Sequence, residues 1–207
     1  MGYKNFLKRL LSSFLLIFIY FFLYFNYLDI IFYFVSFIYI IICIEILIFF
    51  KKYTYFIILY ILISFVFVFS YFYINFRAIE FTAILLCIAL FDSASYLTGK
   101  KFGKNKILIS VSPNKTYEGL VGGIVITNLI CCILYFNIDL SKINYNLFFF
   151  NNLVIIFSFF GDLLQSYFKR LNLLKDSGNF LPGHGGFFDR FDSFLLAIIP
   201  ISILNFF

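Results

Sequence analysis

The sequence predicts an all-α polytopic integral membrane protein, about seven transmembrane helices with polar active-site loops on the cytoplasmic side. Three observations carry this reading. The chain is 63% hydrophobic and 13% charged, with a mean hydropathy of +1.01; soluble domains are nearer half apolar and a quarter charged. Apolar runs recur near residues 8–27, 30–50, 54–74, 79–98, 119–136, 147–168 and 191–207, most of them close to the ~20 residues a spanning helix needs. The basic residues then collect in alternate loops. Seven spans would use roughly two thirds of 207 residues at ~20 each, so residues 1–207 read as a single membrane domain with no room for a separate soluble catalytic one.

Taken in order, the first run follows Lys4, Lys8 and Arg9. It is longer than the apolar part of a secretory signal, lacks a small-residue cleavage site and is followed by another span, so it is expected to stay as a helix. Placing loops alternately on two sides puts Lys4, Lys8, Arg9, Lys51, Lys52, Lys100, Lys101, Lys104, Lys106, Lys115, Lys169, Arg170, Lys175 and Arg190 on one side, and Arg77 and Lys142 on the other. The positive-inside tendency then sets the N-terminus and the long loops 99–118 and 169–190 in the cytoplasm. Residues 1–80 are apolar and nearly featureless. Their share of the 35 Phe and 16 Tyr, in a chain without Trp, exceeds what interfacial belts require and reads as codon bias. Cys43, Cys87, Cys131 and Cys132 lie inside apolar runs, as small core or lipid-facing residues rather than a disulfide framework or zinc site. The net charge of +6 reads as topology, not as affinity for nucleic acid.

The polar residues form three clusters. On the sixth run, Asp162, Gln165, Ser166 and Lys169 fall at i, i+3, i+4 and i+7, on one helical face. Lys169 or Arg170 alone reads as a snorkelling helix end, but Asp162 lacks that reach. An ionised group within a span costs about 2.5–3.5 kcal/mol on insertion scales, so it faces a cavity, partner or ion. The second cluster runs from Lys175 to Ser193. Gly183, Gly185 and Gly186 allow backbone N–H groups to approach phosphate oxygens. Asp189 and Asp192 at the next helix start are hard donors of the kind magnesium prefers; either alone would read as an N-cap. His184, the chain's sole histidine, has no partner for an ordinary zinc site and is expected to contact phosphate or support the metal site.

The third cluster begins with Asp92, Ser95, Tyr96 and Gly99, followed by Lys100, Lys101, Lys104 and Lys106, a basic run suited to anionic headgroups. Then Ser112-Pro113-Asn114-Lys115-Thr116-Tyr117-Glu118-Gly119 runs into Gly122-Gly123. A lysine, two hydroxyls and a carboxylate before a Gly-rich helix N-terminus suit an anion, although the P-loop spacing is absent. Glu45, within the second run, has no assigned role.

The stretch Ser166-x-x-Lys169-Arg170-x-x-x-x-Lys175-Asp176-x-Gly178-x-x-Leu181-Pro182-Gly183-His184-Gly185-Gly186-x-x-Asp189-Arg190-x-Asp192 resembles the signature of bacterial phosphatidate cytidylyltransferases (CDP-diacylglycerol synthases). Asp92-x-x-x-Tyr96-x-x-Gly99 and the segment Ser112 to Gly119 resemble that family's other polar motifs, in the same order; the likeness covers residues 92–193. It implies transfer of a cytidylyl group from CTP to phosphatidate, giving CDP-diacylglycerol and pyrophosphate, with Mg²⁺ as cofactor. By the same resemblance Asp162, Lys169, His184, Asp189 and Arg190 are expected to be catalytic, with Asp162, Asp189 and Asp192 holding metal. Asp92, Tyr96, Ser112, Lys115, Thr116, Glu118, Ser166, Arg170 and Lys175 would bind substrate. The implied setting is the bacterial inner (cell) membrane, multi-pass, with the site facing the cytoplasm, and a homodimer is compatible with it.

This chain departs from the family in Gln165 for the usual Glu, Ile109 for Pro and Ser95 for Ala, and it is shorter than typical members, by N-terminal helices. Three rival readings are a CTP-dependent lipid-alcohol kinase, a membrane transporter and a non-catalytic relative. The kinase would transfer the γ-phosphoryl group. A transporter predicts charges spread through several helix midplanes, whereas here they gather at helix ends. The Gln165 departure keeps the non-catalytic relative open.

Overall fold

In the computed structural model, which describes residues 3–135, 147–181 and 185–204, each predicted apolar run corresponds to a helix. These are α1 (Tyr3–Asn26), α2 (Ile31–Phe49), α3 (Thr54–Asn75), α4 (Ala78–Phe102), α5 (Tyr117–Tyr135), α6 (Leu147–Leu171) and α7 (Phe188–Leu204). Their Phe, Ile and Tyr would favour strands in a half-buried soluble sheet. In hydrocarbon, however, each backbone N–H and C=O must be satisfied within its own segment, and a helix does this. Five helices are long and apolar enough to cross a membrane, over Leu28–Phe49, Thr54–Ile74, Ala78–Phe102, Tyr117–Leu134 and Phe148–Leu171. The chain is a multi-pass, helical membrane protein. α7 is shorter, with Asp189, Arg190 and Asp192 in its first turns and Pro200 near its end.

Among the described residues, the one sheet added to the all-α plan is a small hairpin between α4 and α5. Strands β1 (Lys106–Leu108) and β2 (Ser112–Thr116) pair antiparallel, Lys106 opposite Thr116 and Leu108 opposite Ser112, with an irregularity between.

α7 forms the central post, packed against α6, α3 and α4. Its Leu195, Ala197 and Ile198 are fully buried, as are Ile61 of α3, Ile84 of α4 and Ile155 of α6. Several polar atoms inside this core are locally paired. Ser64 donates to the carbonyl of Leu195 at 2.6 Å and shares a 2.7 Å hydrogen bond with the hydroxyl of Tyr39; Ser202 donates to the carbonyl of Phe67 at 2.8 Å. Large apolar side chains such as Phe14, Phe37, Phe56 and Ile133 point outward, as lipid-facing surfaces require.

Consecutive helices return antiparallel, so the ends of α2, α4 and α6 meet the starts of α3, α5 and α7. Asn172, just beyond α6, fastens this end. Its Oδ1 accepts the N–H groups of Lys51 (2.9 Å) and Lys52 (2.6 Å), and its Nδ2 donates to the carbonyls of Lys52 and Phe168. Asn172→Ala is expected to cost about 1–2 kcal/mol, lowering the apparent thermal midpoint in detergent by roughly 2–8 °C, as read by a melting scan against wild type.

Candidate active site

At the end fastened by Asn172, α4, β2, α5, α6 and α7 enclose a cavity of about 430 Å³. Phe91, Leu120 and Phe159 give it an apolar wall; Asp92, Tyr96, Ser112, Lys115, Thr116, Asp162, Lys169, Asp176, Asp189, Arg190 and Asp192 give it a polar one. The polar face read on α6 is real, and its side chains engage two centres, Lys115 of β2 and Asp189 of α7. Asp162 pairs with Lys115 of β2, Oδ2 to Nζ at 2.7 Å, and its Oδ1 accepts the Ser166 hydroxyl at 3.3 Å. One turn on, the amide of Gln165 and the ammonium of Lys169 both donate to Oδ1 of Asp189 at 2.7 Å. Lys115 also lies 4.5 Å from the ring centroid of Phe159, a cation–π contact that limits where it can swing.

The other oxygen of Asp189 faces the loop that precedes it. Oδ2 accepts the backbone N–H of Ser177 at 2.7 Å and that of Gly186 at 3.3 Å. The loop narrows between Leu181 and Gly185, where the Leu181 N–H meets the Gly185 carbonyl at 2.9 Å. Gly185 has φ +84, a conformation open to glycine at little steric cost. A Cβ on Gly186 would overlap Glu45 and Ser177. Glu45 reaches across from α2, fully buried; its carboxylate accepts the Ser177 hydroxyl and, at 2.7 Å, the Phe187 N–H.

Of the residues singled out from sequence, Asp92, Tyr96, Ser112, Lys115, Thr116, Asp162, Lys169, Asp189, Arg190 and Asp192 come together around the cavity. Thr116 also caps α5, its hydroxyl accepting the Gly119 N–H at 3.1 Å. The remaining described candidates sit behind the cavity wall. Glu118 accepts the backbone N–H groups of Lys104 and Asn105 and holds the turn after α4. Ser166 is buried against Asp162. Arg170 donates to the carbonyls of Val111 and Leu174, tying the hairpin to the end of α6. Lys175 is exposed on the loop. His184 lies outside the described residues, with Pro182 and Gly183.

Two features escaped the sequence reading. Asp176 joins the cavity lining, and Glu45 joins the loop. The signal for Glu45 was present: a carboxylate inside a span needs a partner.

The carboxylates are not equivalent. Asp92, Asp162 and Asp192 feel one another's charge, with Lys115 offsetting part of the repulsion at Asp92. Both oxygens of Asp189 already hold protein donors. As a donor set these are hard oxygens, which suits magnesium. Among the described residues no three such groups stand close enough to enclose an ion by themselves. A cation held there would be completed by substrate phosphates and water.

A helical membrane bundle with hydroxyls, lysines and hard carboxylates converging at one end defines a lipid-embedded protein with a site suited to phosphorylated ligands. The chain belongs to the cytidylyltransferase family, whose model matches residues 2–207. Among curated proteins it is similar to the phosphatidate cytidylyltransferases of Staphylococcus haemolyticus and Staphylococcus saprophyticus, with 40% and 39% identity over 119 residues. That of Staphylococcus aureus is 41% identical over 122 residues. Each match takes in 58% of this chain and 46% of the relative, so the chain spans about half the length of the curated relatives it matches.

The two ion pairs should differ in weight. Lys169–Asp189 is the more enclosed, with side chains 15% and 9% exposed against 21% and 31% for Lys115–Asp162. Lys169→Met is expected to cost about 2–4 kcal/mol because it strands a largely buried carboxylate, whereas Lys115→Met should cost under about 1 kcal/mol. Denaturation of the two variants in detergent checks the order.

Proposed function

We propose that this chain is a phosphatidate cytidylyltransferase, joining CTP and phosphatidate to give CDP-diacylglycerol and pyrophosphate. The observation that carries the reading is the cavity itself. Its lysines, hydroxyls and carboxylates sit at the end of an apolar bundle, where a lipid phosphate and a water-soluble nucleotide can meet. Family membership and the names of the staphylococcal relatives support it.

In the reaction, a phosphate oxygen of phosphatidate attacks the α-phosphorus of CTP in line. The new P–O bond forms as the bond from the α-phosphorus to the bridging oxygen of the β-phosphate breaks, and pyrophosphate leaves with that electron pair. The attacking oxygen is already anionic near neutral pH, so no strong general base is required. Catalysis rests on positioning and charge neutralisation. Lys115 and the hydroxyls of Ser112 and Thr116 would hold phosphate oxygens from one wall, and Lys169 and Arg190 from the other, with Tyr96 at the rim. Asp162 and Asp192 would hold magnesium, together with Asp189 once it releases one of its present donors. The ion would neutralise charge on the phosphates and assist departure of pyrophosphate. Arg170, at the end of α6, and Lys175, on the loop that follows, would add positive charge for the nucleotide, and His184 would contact a phosphate or support the metal site.

In this reading α1 and α7 also cross, giving seven spans. Lys51, Lys52, Lys100, Lys101, Lys104, Lys106, Lys169, Arg170 and Lys175 all lie at the site's end of the bundle, so that end faces the cytoplasm of a bacterial cell membrane.

The test is pyrophosphate release by the detergent-solubilised protein with phosphatidate, Mg²⁺ and either CTP or ATP. CDP-lipid formed from CTP is the expected product; with diacylglycerol supplied in place of phosphatidate, formation of phosphatidate and CDP would instead identify a lipid-alcohol kinase. Asp162→Asn is expected to reduce the rate by at least about a hundredfold, and a rate within a few-fold of wild type would remove Asp162 from the mechanism.

A further inference from the structure

We infer that Glu45 is a positioning residue for the site: with Asp189 it forms a two-carboxylate clamp that holds the loop before α7 in shape. The proposal builds on the cytidylyltransferase reading but is carried by separate contacts.

The loop has two limbs, one at Ser177–Gly178 and one at Gly186–Phe187, and each limb donates to both carboxylates. Ser177 gives its hydroxyl to Glu45 and its N–H to Asp189; on the other limb Gly186 gives its N–H to Asp189 and Phe187 its N–H to Glu45. Glu45 comes from α2, more than 130 residues earlier in the chain. Both limbs are shaped around it. A Cβ on Gly178 would stand 2.8 Å from Cγ of Glu45, and one on Gly186 would overlap its carboxylate.

The Glu45 carboxylate takes the Ser177 hydroxyl on Oε1 and the Phe187 N–H on Oε2, so both of its oxygens accept. Glutamine fills the same volume and keeps the Phe187 contact if the Ser177 hydroxyl turns to accept from its N–H₂ group, whereas an apolar side chain leaves both loop donors unpaired in a fully buried place. Glu45 does not line the cavity. Its effect passes through the loop to Asp189, which begins α7 beside Arg190 and one turn before Asp192. A clamp that slips therefore moves three cavity-lining side chains together.

The test compares Glu45→Met with wild type as the detergent-solubilised chain, by limited trypsin digestion and by kinetics. Lys175 is exposed on the first limb, and cleavage after it is expected to speed up about tenfold or more, while cleavage in the Lys100–Lys106 segment stays unchanged as an internal reference. In the cytidylyl-transfer assay kcat should fall about ten- to a hundredfold through misplacement of the α7 start, with the KM for CTP within about threefold. Glu45→Asp, which keeps two acceptors on a shorter stem, should fall between the two proteins. Cleavage at Lys175 within twofold of wild type, or equal acceleration at both sites, would overturn the clamp. An unchanged kcat with a loosened loop would overturn the positioning role. If Glu45→Met is not recovered folded, Ser177→Ala is measured the same way, and an unaltered cleavage rate overturns the proposal. Should wild type transfer no cytidylyl group at all, the reaction assignment fails while the digestion still decides the clamp.

Discussion

The carboxylate of Asp189 is the interaction on which the arrangement of the site depends. It is 9% exposed, so its charge needs compensation from the protein, and four donors from separate parts of the chain supply it. Gln165 and Lys169 approach from α6, Ser177 from one limb of the loop and Gly186 from the other. Satisfying one buried charge thereby sets the register of α6 against α7 and the path of the loop between them. The same contact gives Gln165 a clear place. Its amide brings a donor to Asp189 without adding a negative charge; a glutamate there would set a second carboxylate against the first unless a proton or cation stood between them.

Behind this hub, polar side chains that do not reach the cavity hold its walls. Glu118 fixes the turn after α4, Arg170 binds the hairpin to α6, and Asn172 ties the α2–α3 turn to the same helix end. Each satisfies backbone groups that the loops leave open where the helices stop, as the ends of helices require. The loops are therefore attached to the bundle by side chains more than by sheet structure, with one short hairpin as the exception.

The helices were legible because an apolar run long enough to cross a bilayer has few other stable conformations. Their ends were less so: α4 continues through Lys100 and Lys101 to Phe102, and α6 through Lys169 and Arg170 to Leu171, because long cationic side chains let a helix extend into the interface. Most cavity residues were legible through spacing, as with Asp162, Gln165, Ser166 and Lys169 on about two turns of helix. What could not be read were pairings between distant segments. The hairpin has short, charged strands without the alternation that marks a half-buried sheet. Glu118 and Arg170 sit inside the polar motifs yet turn toward backbone, and nothing in the string of letters joins Glu45 to Ser177.

The composition of the cavity lining has a further electrostatic consequence. Asp92, Asp162, Asp176, Asp189 and Asp192 face Lys115, Lys169 and Arg190, so among the described lining residues formal negative charge exceeds positive. A pocket of this sign repels a bare polyphosphate, even though the loops around it are basic. Under the proposed function, the loop lysines would draw anions toward the entrance, and the aspartates would act as a filter favouring a metal-complexed phosphate over a free one.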